Sequence, residues 1–221
     1  MDKIDIDKYS RSWVTKYITE PDENGYIFKY FKNDGEHKPY PYEKQNYIIE
    51  MKKHYIWKYI PETELIKNED GSYYIKQKFI EWKLLKFVDI NQLDRRTLFD
   101  LLDLFNWYSD FCKNEWIQID VFGYQWDISD IDNIRKKRYL FYTRMLNSFL
   151  ASTNIIISND NKVYMIDVCD TIPVQKKDQK LRKIKHTIRQ AIIELWIRIA
   201  ESKIHNVIDK KKRDLLYALR K

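Results

Sequence analysis

The chain has 221 residues, of which 44% are apolar and 15% aromatic, with only four glycines and five prolines. This composition excludes a disordered or collagen-like chain and supplies enough apolar surface for one substantial core or for two lobes of unequal size. The formal net charge is +7, but residues 175–221 alone contribute +10 and the preceding residues −3. The basic balance therefore describes a C-terminal segment and does not by itself indicate a surface that coats nucleic acid.

Cysteine usage and hydropathy indicate a cellular location. Cys112 and Cys169 lie far apart, so they form neither a disulfide framework nor a C-x-x-C metal pair. No apolar stretch follows Met1, and no window approaches eighteen uncharged apolar residues. We therefore predict neither a signal peptide nor a membrane span, and expect a cytoplasmic protein.

The first third of the chain favours β-structure with one helix. Two β-rich runs within residues 12–31 flank the turn-forming stretch 21–25, which indicates a hairpin. Apolar residues at three- and four-residue spacing predict a helix over 42–59. Two further strands are predicted at 64–67 and 73–80.

From residue 91 the pattern becomes helical. An apolar stripe predicts a long helix with one buried face. A short apolar run follows at 117–123, and residues 139–150 are again helical in period. A second hairpin is predicted from residues 154–157 and 162–167. The stripe of the long helix consists of Leu98, Leu101, Leu102, Phe105, Tyr108 and Cys112.

The C-terminal segment carries a continuous apolar seam on a basic helix. We expect this seam to be the packed face of the helix, with the charged residues facing solvent. A separate last helical piece is predicted over roughly 204–219. The seam consists of Leu181, Ile184, Ile188, Ile192, Leu195 and Ile199.

Asn154 and Asp167 form the sharpest chemical signal in the sequence. Asn154 opens the second hairpin and Asp167 closes it, so the fold of the hairpin brings the two together. Amide and carboxylate oxygens are hard ligands that suit Mg²⁺, which completes its shell with water and phosphate oxygens. The alternative is that the two side chains cap an ordinary β-hairpin.

This arrangement resembles the protein kinase-like superfamily, in which a catalytic-loop Asn and the Asp of the D-F-G position flank such a hairpin. Asp167 is followed by Val168 and Cys169, as happens in the divergent bacterial and small-molecule-kinase-like branches. The predicted order of elements is also similar: hairpin, helix, two strands, long helix, metal hairpin, helices. The resemblance implies an α+β, two-lobed kinase-like fold, with a small β-rich N-lobe at 1–82 and a helical C-lobe at 83–221.

The resemblance also implies roles for residues of the N-lobe. Lys29 would contact the α and β phosphates of ATP, and Glu50 would be its partner on the helix, with Glu43 as the second choice. The backbone groups that would meet the adenine are those of Lys78, Phe79 and Ile80.

Two departures from the family pattern concern catalysis. The family's catalytic Asp lies five residues before its Asn, and this position is Phe149, which cannot accept a proton. Asp120, which follows the long helix, is the candidate that would position the acceptor if the residues between it and Asn154 loop out. No glycine-rich loop precedes Lys29, because Gly25 is the only earlier glycine.

The predicted function is an ATP- and Mg²⁺-dependent phosphotransferase that acts on a hydroxyl group of a protein or small molecule. One alternative is a catalytically impaired pseudokinase with a regulatory or scaffolding role, which the two departures favour. A second alternative is a nucleic-acid-binding protein that uses the basic C-terminal helix.

Overall fold

The computed structural model describes residues 3–4, 15–31, 41–115, 118–119, 149–150, 152, 154–166, 171–172 and 179–219. These residues form a mixed α+β protein with antiparallel sheets and a long C-terminal helix. The chain divides into two compact units, Met1–Glu81 and Trp82–Lys221. Within the described ranges, no helix combines the length and apolar character that a membrane span requires.

The first unit is built on a five-stranded antiparallel sheet of order β1-β2-β3-β5-β4. Helix α1 (Tyr42–Ile56) and a single 3-10 turn connect β3 to β4. The predicted hairpin, helix and strand pair are therefore confirmed. The strands are β1 (Lys3–Ile4), β2 (Thr15–Thr19), β3 (Tyr26–Phe31), β4 (Thr63–Lys67) and β5 (Tyr73–Lys78).

One face of this sheet is packed and the other is half-buried. Along β5, the side chains of Tyr73, Ile75 and Gln77 are buried and alternate with half-buried neighbours, as the two-residue period of a strand requires. The buried amide of Gln77 donates to the hydroxyl of Thr63 at 2.9 Å. The Thr63 hydroxyl in turn donates to a backbone carbonyl at 2.7 Å. This polar chain is satisfied, so it is tolerated in the core.

Tyrosines and a phenylalanine form a row of rings across the other face. Tyr17 stacks on Tyr30 with ring centroids 4.5 Å apart, and Tyr30 stacks on Tyr74 at 5.2 Å. Phe28 meets Tyr74 at 5.9 Å. Tyr17 pairs with Tyr30, and Tyr30 with Tyr74, directly across the strands, where such pairs contribute about 0.2–1 kcal/mol each. Part of the tyrosine content of the chain therefore stabilises the sheet.

The described part of the second unit combines short strands with two long helices, α2 (Arg95–Glu115) and α3 (Gln179–Ala218). A three-stranded antiparallel sheet has the order β6-β8-β9, and β7 pairs with β10. The strands are β6 (Trp82–Leu84), β7 (Gln118–Ile119), β8 (Ile155–Ser158), β9 (Val163–Met165) and β10 (Thr171–Ile172).

The core of the second unit confirms the predicted stripe of α2. All six residues of that stripe are buried. Phe149, which is fully buried, packs against two aromatic side chains of α2. Its ring centroid lies 5.0 Å from that of Phe105 and 5.5 Å from that of Tyr108. These three rings are among the largest fully buried side chains of the chain.

The C-terminal helix departs from the sequence prediction in two ways. It is one continuous helix of 40 residues instead of two pieces. Its packed face carries buried residues such as Ile193, Ile197 and Ile204, which lie on the side opposite the predicted seam. The prediction that the seam is packed was wrong, because the helix has apolar residues on two sides and periodicity cannot tell which side meets α2.

Replacing Phe149 by alanine should lower the free energy of unfolding by about 3–5 kcal/mol, because it removes a buried ring and leaves a cavity beside α2. The matched control is Phe99→Ala on α2, where the side chain is 44% exposed and the expected loss is below about 1 kcal/mol. Urea denaturation of both variants measures the difference. Equal losses would contradict the placement of Phe149 in the core.

Candidate functional site

The hairpin that begins after Asn154 is the buried centre of the second unit. All four residues of β8 are buried, because this strand lies between β6 and β9. Its sequence, IIIS, is the short apolar run expected of a strand covered on both faces. The register pairs Ile155 with Met165 and Ile157 with Val163. The predicted hairpin is confirmed, and its pairing is set by this register.

The turn of the hairpin is held by its own polar side chains. The Ser158 hydroxyl donates to the Asp160 carboxylate at 2.6 Å and accepts the N–H of Lys162 at 3.0 Å. Asn161 has a φ of 61°, in the left-handed region that asparagine tolerates better than most residues. The Lys162 ammonium lies 2.7 Å from the Asp160 carboxylate. Hydrogen bonds from Lys162 and then from Ser158 lower the pKa of Asp160.

Asn154 is buried at the open end of the hairpin, and its backbone is held on both sides. Its N–H donates to the Ser152 hydroxyl at 3.1 Å, as does the N–H of Ile155. Its carbonyl accepts the N–H of Ile166 at 2.8 Å. The chain at residue 154 is therefore fixed beside residue 166. Asp167, the next residue in the sequence, lies outside the described residues.

Thr97 connects the hairpin to the start of α2. Its N–H donates to the Asp94 carboxylate at 2.7 Å, so that Asp94 caps the N-terminus of the helix. Its hydroxyl lies 2.9 Å from that carboxylate and 2.6 Å from the carbonyl of Asn161. A hydroxyl has one proton, so it donates to one of the two acceptors at a time. The Thr97 side chain is fully buried, which limits the access of competing water to this link.

The C-terminal helix reaches the same corner of the second unit. The ammonium group of Lys211, on α3, donates to the carbonyl of Leu93. The pKa of Asp94 is lowered first by the backbone hydrogen bond from Thr97, and the charge of Lys211 contributes in the same direction. One corner therefore joins α2, α3 and the turn of the hairpin.

Lys29 and Glu50, the predicted phosphate lysine and its partner, do not form an ion pair with each other. Lys29 lies on β3 between Ile18 and Ile75, its cross-strand neighbours. Since directly opposite residues share a face, Lys29 is on the packed side of the sheet with Ile75. Glu50 is exposed and pairs instead with Lys53 on its own helix, at 2.9 Å. Glu43 pairs with Lys67 at 3.6 Å.

The predicted adenine segment is tied to the first hairpin of the chain. The N–H of Lys78 donates to the carbonyl of Glu62 at 2.8 Å, and the N–H of Phe79 donates to the carbonyl of Gly25 at 2.9 Å. The Lys78 ammonium donates to the carbonyl of Asn24 at 2.7 Å. Both N–H groups are thus engaged within the first unit. An adenine contact in this segment would use Ile80 or backbone carbonyls.

The predicted catalytic and metal-binding residues are Asp120, Asn154 and Asp167. Asp120 and Asp167 lie outside the described residues, so their predicted roles stay predictions. Asn154 occupies the buried open end of the hairpin. Phe149, at the position where the kinase family has its catalytic Asp, is a core residue. Over the described part of the chain, no three His, Cys, Asp or Glu side chains group closely enough to hold a metal.

Sequence reasoning missed the residues that position Asn154. Ser152 is fully buried and its hydroxyl accepts two backbone N–H groups, a local turn pattern that is common for serine. Asp94 and Thr97 have the three-residue spacing of a helix cap, which could have been found at the start of α2. The contact of Thr97 with Asn161 joins residues far apart in sequence, so no local signal reveals it.

No protein-family model and no curated protein matches this chain in sequence comparisons.

Replacing Asp94 by alanine should cost about 1 kcal/mol of stability at pH 7, because the first turn of α2 loses its cap. The pKa of Asp94 is lower in the folded protein than in the unfolded chain, where it is near 3.9. The ionised carboxylate therefore contributes its full stabilisation at pH values above the unfolded-state pKa. This stabilisation disappears as the pH falls through the lower pKa of the folded state. The difference in stability between wild type and Asp94→Ala should therefore shrink below about pH 4.

The control for this prediction is Asp110→Ala, which changes an exposed aspartate of the same helix. Urea denaturation at several pH values between 2.5 and 7 measures both variants. A difference between wild type and Asp94→Ala that stays constant over this range would contradict the role of the ionised cap.

Proposed function

We propose that the chain is a kinase-like protein that binds a Mg²⁺–nucleotide complex, with phosphotransfer to a hydroxyl group as its first candidate activity. The observation that carries the proposal is the position of Asn154, buried at the open end of the hairpin with its backbone bonded to Ile166. Asp167 follows Ile166 directly in the sequence. An asparagine and an aspartate at these two positions match the family's metal-binding pair.

The order of elements supports the same proposal at the level of the fold. In the first unit, a helix is inserted between the third and fourth strands of an antiparallel sheet. In the second unit, a long helix precedes the hairpin and another helix follows it. This is the order that the resemblance to the kinase-like superfamily implies, and we propose the two-lobed kinase-like fold on this basis.

The donor chemistry of Asn154 and Asp167 fits Mg²⁺, because both side chains offer oxygen and neither offers a soft ligand. Such an ion neutralises phosphate charge when it is bound. In this proposal Asn154 and Asp167 hold the ion, and Lys29 contacts the phosphates. Asp120 orients the hydroxyl that accepts the phosphoryl group.

Two observations favour a second candidate function, a pseudokinase that binds nucleotide without efficient transfer. The residue five positions before Asn154 is Phe149, which cannot accept a proton and is packed in the core. Among the residues that the structure describes, Glu50 pairs with Lys53 and Glu43 with Lys67, so neither candidate carboxylate holds Lys29 in position. Such a protein would act through a partner whose binding responds to nucleotide.

Nucleic-acid binding by the basic C-terminal helix stays a prediction that rests on charge alone. A protein that neutralises several phosphates loses affinity steeply as salt rises. Binding to DNA or RNA that is absent or insensitive to salt would contradict it.

Isothermal titration of the full chain with Mg²⁺–ATP should show stoichiometric binding that disappears in Asp167→Ala. The matched control is Asp160→Ala, which alters an exposed carboxylate at the other end of the same hairpin and should keep wild-type affinity. Thermal unfolding of both variants separates loss of binding from loss of fold. If no nucleotide binds in the presence of Mg²⁺, Mn²⁺ or Ca²⁺, the proposal fails.

Transfer of labelled phosphate from ATP distinguishes the two candidate functions. A phosphotransferase should autophosphorylate or hydrolyse ATP, and Asp120→Asn should lower that rate by at least about a hundredfold, because the acceptor would lose its orienting carboxylate. Binding of Mg²⁺–ATP without measurable transfer is the result expected of the pseudokinase. Turnover that Asp120→Asn leaves unchanged would contradict the role assigned to Asp120.

A further inference from the structure

The C-terminal helix α3 carries apolar residues on two opposite sides. One side is packed, and its buried residues include Ile193, Ile197 and Ile204. At the edge of this packed side, the Lys113 ammonium of α2 lies 3.0 Å from the Glu194 carboxylate. The helix is therefore held against α2 by apolar contacts and by an ion pair.

The opposite side of α3 presents large aliphatic side chains to solvent. The exposed fractions are 52% for Ile184, 55% for Ile188, 39% for Ile192 and 57% for Leu195. These four residues are called the exposed seam. Since each helical residue turns the chain by about 100° and advances it by about 1.5 Å, they fall within an arc of about 80° and span about 16 Å. Contiguous exposed apolar residues of this kind mark interaction sites on soluble proteins.

The exposed seam has a defined end. Beyond Leu195 the same side of the helix carries the half-buried Ile199 and then Ser202, Asn206 and Asp209, which are polar and exposed. The packed side continues past this point to Val207. The helix is therefore not apolar on all sides. The exposed apolar residues end before the buried apolar residues of the packed side do.

The charge of the helix around the exposed seam is strongly positive. Residues 180–189 contain five basic residues and no acidic one. Residues 180–200 contain one acidic residue, Glu194, which lies at the edge of the packed side and pairs with Lys113. Arg189 and Arg198, which lie on either side of the seam, are exposed. Basic side chains beside aliphatic ones are complementary to an acidic, amphipathic partner. The five basic residues are Lys180, Arg182, Lys183, Lys185 and Arg189.

The geometry of the seam distinguishes among possible occupants. An arc of about 80° is as narrow as the seam of a coiled coil, whereas a helix that lies in a membrane interface presents a broader apolar face. A second copy of the chain would bring an equally basic segment against this one, which like-charge repulsion opposes. An amphipathic helix whose narrow apolar stripe is bordered by acidic residues matches both the width of the seam and its positive charge.

We propose that the exposed seam of α3 binds an acidic amphipathic helix of a partner protein, with aliphatic side chains packed along the seam and carboxylates beside the basic residues. The proposal depends on α3 and its contacts with α2 and is independent of nucleotide binding. It gives the second unit a protein-docking surface opposite its own core.

A synthetic helical peptide of about three heptads provides the probe, with leucine at the a and d positions and glutamate at the e and g positions. Fluorescence anisotropy with the full chain should show micromolar binding that weakens at least fivefold between 50 and 300 mM salt. The same peptide with lysine in place of each glutamate should not bind. Failure of the acidic peptide to bind, or equal binding of the two peptides, would overturn the proposal.

Two variants locate the binding surface. Ile188→Asp combined with Leu195→Asp should weaken binding of the acidic peptide at least tenfold, because both substitutions place charge in the seam. The matched control, Leu216→Asp, changes a side chain that is 49% exposed on the same helix but outside the seam, and should bind as wild type. Circular dichroism confirms that each variant is folded. Equal affinity of the double variant and wild type would contradict the proposal.

The competing occupants are tested in parallel. Vesicles of phosphatidylserine and phosphatidylcholine test a membrane, and sedimentation velocity of the chain alone tests a second copy. We expect no vesicle binding at physiological salt and a monomer at micromolar concentration. Vesicle binding or dimerisation that the double variant abolishes would assign the seam to that occupant and overturn the proposal.

Discussion

The buried hydroxyl of Thr97 is the point at which the second unit is joined together. It meets the Asp94 cap of α2 on one side and the carbonyl of Asn161, in the hairpin turn, on the other. Helix α2 supplies the buried apolar stripe of the core, and the hairpin supplies a strand that is buried on both faces. The hydrogen bonds of Thr97 therefore fix the position of the hairpin relative to α2. The ammonium of Lys211 on the Leu93 carbonyl adds α3 to the same corner.

The candidate site lies at the other end of the hairpin from this link. The turn at Asn161 is anchored, and the strands carry that constraint to Asn154, where Ser152 and Ile166 complete it. Asn154 is therefore placed by hydrogen bonds on its backbone and by burial. A metal ligand benefits from such support, because a ligand held in position loses less conformational freedom when the ion binds.

Local patterns were sufficient for much of the fold. The stripe of α2 and both hairpins have strong short-range signals, in the period of the apolar residues and in the turn sequences, and the structure confirms them. The packed side of α3 had no such signal, because Ile188 and Ile193 belong to two apolar sides of one helix and only contact with α2 selects between them. In the candidate site, the position of Asn154 follows from its hairpin. The pairing of Glu50 with Lys53 could not be predicted from the family's motif, because it depends on the geometry of the two side chains on α1.

The central claim is that the open end of the hairpin holds a divalent metal with its nucleotide. Amide signals in an NMR spectrum of the full chain test it most directly when Mn²⁺–ATP is added, because the paramagnetic ion broadens nearby signals far more than distant ones. We expect the signals of Asn154, Ile155 and Ile166 to broaden first, before that of Asn161 at the turn, and to stay sharp with Mg²⁺–ATP. Broadening that begins at Asn161 or is uniform along the hairpin would contradict the claim.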